Sequence, residues 1–186
     1  MSEPEDYGVV QPAPLQLVSD DHPLLKTKLE DFDFANPPVD PVTLAQQLTE
    51  LMIKSRGIGL SANQAGLPYR VFVMATNPVT ACFNPRLVDI GEEQVLLDEG
   101  CLSYPGLAVK IKRPKNIKVR FTLPNGETTT QKFTGITARV FLHELDHMNG
   151  ENFISRAGPL AKSNAFKKWA KLKKMHNLKM KMGFRK

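Results

Sequence analysis

The chain has 186 residues, enough for one domain with a full core and too few for two ordinary ones. With 41% hydrophobic and 24% charged residues, its composition is that of a soluble globular protein. No apolar run approaches the ~20 residues that cross a bilayer, which excludes a helical membrane protein.

The net charge of +6 conceals an asymmetry. All 19 acidic residues lie at or before Glu151, whereas 11 of the 25 basic ones lie from Arg156 onward, so a mildly acidic body carries a strongly basic tail.

Residues 1–13 are acidic and dotted with proline, which predicts disorder and does not suit a secretory or organellar leader. Leu15 to Val18 reads as a short strand. Asp40-Pro41 is a strong helix start, an N-cap acceptor followed by proline at the first helical position. Leu44, Leu48, Leu51 and Met52 then recur at helical spacing up to Ser55, and Gly57 is expected to end the run. The middle of the chain is β-rich. Strands are predicted for Tyr69 to Ala75, Ala81 to Val88, Val95 to Leu97, Leu107 to Ile111 and Asn116 to Thr122. Asn125-Gly126 is a hairpin turn that returns the chain along Thr128 to Phe133. A second helix is predicted from Ile136 to the stop at Gly150, with Thr134 as N-cap, and a basic amphipathic helix from Pro159 onward. The fold class expected is α+β: antiparallel β-sheets around a central buried helix, plus a C-terminal basic helix.

The helix before Gly150 carries His143-Glu144-Leu145-Asp146-His147. Residues four apart share one helical face, so both imidazoles can ligate one metal ion with Glu144 beside them as a general base. The helix is apolar on most sides and is expected to be buried, where histidines and carboxylates are costly unless paired or bound to metal. Two histidines do not complete a site, and a catalytic centre commonly has three protein ligands and one open position. Downstream, the only further histidine is His176 in the basic tail. Upstream, Cys101 offers a thiolate in Glu99-Gly100-Cys101-Leu102-Ser103. Cys82 is the only other cysteine and reads as structural, so no disulfide is expected and a reducing compartment, the cytoplasm, is the expected location.

With Gly57-Ile58-Gly59-Leu60-Ser61-Ala62-Asn63-Gln64, three blocks stand in order: GIGLSANQ, EGCLS and HELDH. In these blocks the chain resembles the peptide deformylase family, with the likeness running from about His22 to Phe153. The resemblance implies a catalytic domain over 14–158 with residues 159–186 as a basic helix or tail of the same domain. It implies hydrolysis of the N-formyl group from formyl-methionine at the start of nascent polypeptides. Cys101, His143 and His147 would hold one divalent metal, iron(II) in the cell with zinc, nickel or cobalt(II) as alternatives. Glu144 would move the proton from water to the leaving amine, and Gln64 with the Leu102 N–H would face the oxyanion.

Ile58, Gly59, Leu97, Ile136 and Val140 are candidates for the methionine pocket. Glu99, Arg113 and Asp146 are candidates for a surrounding layer that orients the ligands. Ser61 replaces an alanine usual in the first block, and Ala108 stands where many bacterial members carry an arginine. A monomer is expected, and the tail suggests docking on ribosomal RNA near the peptide exit. It is expected to be separable from hydrolysis.

Two other readings share part of this pattern. A metallopeptidase cutting internal bonds would need a different third ligand. A non-catalytic ribosome- or RNA-binding protein with a structural metal would need a fourth.

Overall fold

The computed structural model describes residues 14–181; the expectation for residues 1–13 and the last residues of the tail fall outside it. The chain is α+β. A five-stranded antiparallel sheet runs in the order β1 (Gly59–Ser61), β2 (Val71–Met74), β3 (Thr80–Ile90), β6 (Asn116–Thr122) and β7 (Thr128–Thr134). A separate two-stranded ribbon pairs β4 (Gln94–Glu99) with β5 (Val109–Pro114). Three α-helices join them: α1 (Pro41–Lys54), α2 (Gly135–Met148) and α3 (Pro159–Lys181).

α1 begins as its sequence dictates. Asp40 Oδ2 accepts the Thr43 N–H at 2.7 Å, and Pro41 occupies the first turn. Its end differs from expectation. The left-handed residue is Arg56, at φ 57°, and Gly57 follows it, donating to Met52 O at 2.9 Å. Gly57 also lets the cysteine loop come close: a Cβ there would lie 2.8 Å from Leu102 Cδ1, which would have to give way.

β2 is buried along its whole length because this end of the sheet is covered on both faces. Successive side chains point to opposite faces. Phe72 and Met74 join the cluster built on Phe141, Leu145 and Met148 of α2, and Val71 and Val73 join the one built on Leu44, Leu48 and Met52 of α1. Each such side chain contributes about 1.5–3 kcal/mol. Ile117, Val119 and Phe121 of β6 alternate inward towards α2. α2 is thus enclosed by the sheet on one side and the ribbon on the other, and every residue from Ala138 to Met148 is buried.

Thr134 holds the N-cap position of α2 without a side-chain hydrogen bond. At the other end Gly150 has φ 73°, its N–H reaches His147 O at 3.2 Å, and Glu151 N–H reaches Asp146 O at 3.0 Å. This pair of bonds is the Schellman arrangement, and it requires the residue without a Cβ.

The segment Leu15 to Val18 is not a strand. It makes one backbone bond, Val18 N–H to Gln64 O at 2.9 Å, because Gln64 lies in a 3-10 turn (Ala62–Ala65) that offers a single carbonyl and no ladder. β1, by contrast, forms at Gly59, where glycine's poor strand propensity hid it. α3 packs Ala165 and Trp169 against Tyr104, Val109, Ile111 and Phe153. Among the described residues no helix is long and apolar enough to cross a membrane.

Candidate metal centre and catalytic cleft

Cys101 stands two residues beyond β4, in a turn closed by Tyr104 N–H donating to Cys101 O at 2.9 Å. His143 and His147 sit one turn apart on α2, ring centroids 5.3 Å apart. The fold brings all three together: their ligand atoms lie within 4.8 Å of one another, and Cys101 Sγ is 3.2 Å from His147 Nε2. Among the described residues no fourth histidine, cysteine or carboxylate joins this group. One sulfur and two imidazole nitrogens facing a common point suit a divalent transition metal with a position to spare. The family reported below and this cluster together indicate one metal ion.

The surroundings fix which nitrogens face that point. Glu99 Oε2 lies 3.1 Å from His143 Nδ1, which assigns the proton to Nδ1 and leaves Nε2 as the donor atom. Glu99 is itself held bidentate by Arg113, at 2.7 and 2.9 Å, and Arg113 reaches Asp146 Oδ2 at 2.8 Å. The three residues expected to form the orienting layer are therefore one buried cluster. Sequence reading missed a fourth member. Arg139, one turn before His143, bonds Glu99 Oε1 at 2.6 Å and the carbonyls of Val95 and Ile111 at 2.6 and 3.0 Å. An arginine on an otherwise apolar helix was the available signal, since a buried cation demands partners.

These contacts set the protonation states. Burial would raise Glu99, but Arg113 and His143 outweigh it and pull the carboxyl down to about 2. Burial likewise pushes the Cys101 thiol up, and the imidazoles of His147 and His143 reverse this, holding it well below the ordinary thiol range. In the free protein His143 rises to about 10, against burial, because Cys101 and Glu99 bond to its charged form; a cation on Nε2 would take the place of the second proton.

Glu144 is the outlier. It is buried, Oε2 has no hydrogen-bond partner, and burial pushes its carboxyl up to about 7. A Cβ on Gly59 would overlap Glu144 Oε1 and lie 2.8 Å from Val140 Cγ1, so β1 presses its backbone directly on this carboxylate.

Gln64 is clamped at both ends of its amide. Oε1 accepts from Ser61 N at 3.0 Å, and Nε2 donates to Cys101 Sγ at 3.3 Å and Ser103 Oγ at 3.1 Å. The Ser61 hydroxyl donates to Asn63 Oδ1 at 2.7 Å, and Asn63 Nδ2 in turn donates to the His147 carbonyl at 2.9 Å. Ser103 and Asn63 are further residues the sequence did not single out.

A cleft of about 420 Å³ opens over the centre. The edge strand β1 and the Gly57–Ile58 backbone form one wall, Gly100 and Leu102 face them, and Val140, His143 and Glu144 form the floor. Ile58 and Ile136, 57% and 59% exposed, stand at its rim. Leu97, expected in the pocket, does not line it. The ribbon carries no layer over that part of β4, and Leu97 is 45% exposed.

The sequence model of polypeptide deformylases matches residues 14–163. The peptide deformylase of Thermotoga petrophila is 42% identical over 115 residues, spanning 61% of this chain and 70% of its own. A plant peptide deformylase crystal structure superposes with a TM-score of 0.81 at 28% identity, covering 95% of this chain and 97% of that one. The class I type b peptide deformylase of Acinetobacter baumannii, solved with Met-Ala-Ser bound, has a TM-score of 0.71 at 26% identity and covers 77% and 98%.

Proposed function

The chain belongs to the polypeptide deformylase family, and from that premise we propose that it removes the N-formyl group from formyl-methionine at the start of nascent polypeptides, releasing formate and a free amine. The observation that carries this reading is the meeting of Cys101 with His143 and His147 beside an unpartnered Glu144, at the floor of a cleft bounded by an edge strand. The Met-Ala-Ser held by the Acinetobacter relative is the product such a reaction leaves.

In this reading Cys101 Sγ, His143 Nε2 and His147 Nε2 hold one divalent cation, iron(II) in the cell, with zinc, nickel or cobalt(II) suited to the same donors. Such a cation, when bound, polarises a carbonyl and brings the pKa of water near neutrality. Glu144 takes a proton from the attacking water on Oε2 and delivers it to the departing amine. Its lack of any other partner supports that role. Gln64 Nε2 and the Leu102 N–H face the developing oxyanion, each worth ~3 kcal/mol. Gln64 arrives preset, since Ser61 and Ser103 already fix its amide.

Glu99, Arg113 and Asp146 orient the ligand helix, with Arg139 added to them. The substrate lies as an extended strand along Gly57–Leu60. Ile58, Gly59, Ile136 and Val140 line the methionine site, and Leu97 is omitted from it. Residues 14–158 act as the catalytic domain and 159–186 as its basic tail, working as a monomer in the cytoplasm and docking on ribosomal RNA.

Formate release from formyl-Met-Ala-Ser after anaerobic iron loading tests the activity, with Glu144→Ala expected to keep its metal and lose turnover. No formate from the loaded wild type would refute the reading. For docking, Lys167, Lys168, Lys171 and Lys174 are all exposed. Replacing them by glutamate is expected to abolish co-sedimentation with ribosomes at low salt while formate release continues. Unchanged sedimentation removes the docking idea.

A further inference from the structure

α3 touches the catalytic body through few residues, and one of them is the only tryptophan in the chain. Trp169 Nε1 donates to Asp20 Oδ2 at 2.8 Å, and Lys173, one turn on, reaches Asp20 Oδ1 at 2.5 Å. The indole ring meets Tyr104 edge-on, centroids 5.3 Å apart.

Both contacts lead to the centre. Tyr104 closes the turn that presents Cys101, and its ring packs on Phe153, which stacks on the His143 imidazole at 5.6 Å with the planes 29° apart. Asp20 lies two residues beyond Val18, whose N–H holds the Gln64 carbonyl. Leu172 of the same helix face would lie 3.9 Å from a Cβ on Gly106, further along the Cys101 loop.

We propose that Trp169 is a positioning residue for the reaction: by seating α3 on Asp20 and Tyr104, it holds the Cys101 turn and Gln64 in the geometry the chemistry needs. This rests on the deformylase reading above. The tail is then not separable from hydrolysis, because removing it strips the outer wall from Tyr104, a residue now only 7% exposed. Tyr104 and Cys101 belong to the same packed cluster as Trp169, so a shift in the indole is passed on through close-packed rings. Misplacement by about 1 Å at a remote site can cost ~100-fold in rate.

The test uses the full chain loaded anaerobically with cobalt(II), comparing wild type with Trp169→Ala, Trp169→Phe and Asp20→Ala. Trp169→Ala is expected to lower kcat about tenfold with KM within about twofold, and to shift the thiolate-to-cobalt charge-transfer band. Trp169→Phe, which keeps the edge contact on Tyr104, restores kcat to within about threefold. Asp20→Ala removes both hydrogen bonds that hold α3 at this end while leaving the Tyr104 contact in place, and is expected to show a band shift in the same direction even if Trp169→Ala fails to fold.

Wild-type kcat and an unmoved band in Asp20→Ala and in any folded Trp169→Ala overturn the positioning role and leave the deformylase reading intact. A wild type that releases no formate and shows no thiolate band overturns that reading, and the proposal with it.

Discussion

Glu144 and Gly59 form the tightest contact in the cleft. Adding a methyl group at Gly59 must displace the carboxylate or the β1 backbone. Gly59→Ala is expected to lower kcat by about 100-fold. Metal content should be unchanged, since the atoms nearest the added methyl belong to Glu144 and Val140, which are not ligands; formate release and metal analysis on the same sample check both. The pH profile tests the carboxylate itself. Glu144 can accept a proton only when ionised, so kcat/KM should fall as pH drops through its pKa. Burial sets that value at about 7 in the free protein, and a bound cation favours the charged form, placing the midpoint of the acid limb at or below 7. A midpoint well above 7 would assign the limb to another group. At this scale the site was largely legible: the spacing of His143 and His147 put both on one helical face, the EGCLS block offered Cys101 as third ligand, and the fold brings the three together. Arg139, Ser103 and Asn63 escaped because their partners are distant carbonyls and amides that no local pattern announces.

Between elements, Glu99 is the hub. It ends β4, accepts from Arg113 on β5 and from Arg139 on α2, and orients His143. Its pKa falls from an ordinary 4.5 to about 2, so the unfolded chain takes up the proton first. The contribution, of order 3 kcal/mol, is complete above about 4.5 and is lost as pH falls towards 2. Glu99→Gln leaves two buried arginines short of a carboxylate and should cost about 3–5 kcal/mol at pH 7. Denaturant titrations at a series of pH values would show the variant less stable at neutrality and flatter between 4.5 and 2. An equally steep acid loss in both proteins would assign the effect elsewhere. Alternation in β6 and the capping signals of α1 made those elements readable from sequence. β1 was not readable, since a three-residue strand opening on glycine carries little strand signal, and Leu15 to Val18 misled because apolar residues there meet a turn instead of a strand.

Taken whole, the molecule joins two β-layers through a helix, and the proposed ligands come from both sides of one seam: Cys101 from the ribbon, His143 and His147 from α2. A bound cation at ~100 times its Kd adds about 2.7 kcal/mol to stability. Stripping it with a chelator should therefore lower Tm by about 5–10 °C, reversibly on anaerobic reloading, as calorimetry would show. A Tm indifferent to chelation would separate the cation from the fold. The basic tail was visible in composition, but its grip on Tyr104 was not, because Trp169 among lysines looks like one more residue of a solvated face. The enclosure of α2 also has a consequence in time. Its residues from Val140 to Met148 are all buried, so in deuterium oxide their amides should be among the last in the molecule to exchange, and only when the entire structure opens at once.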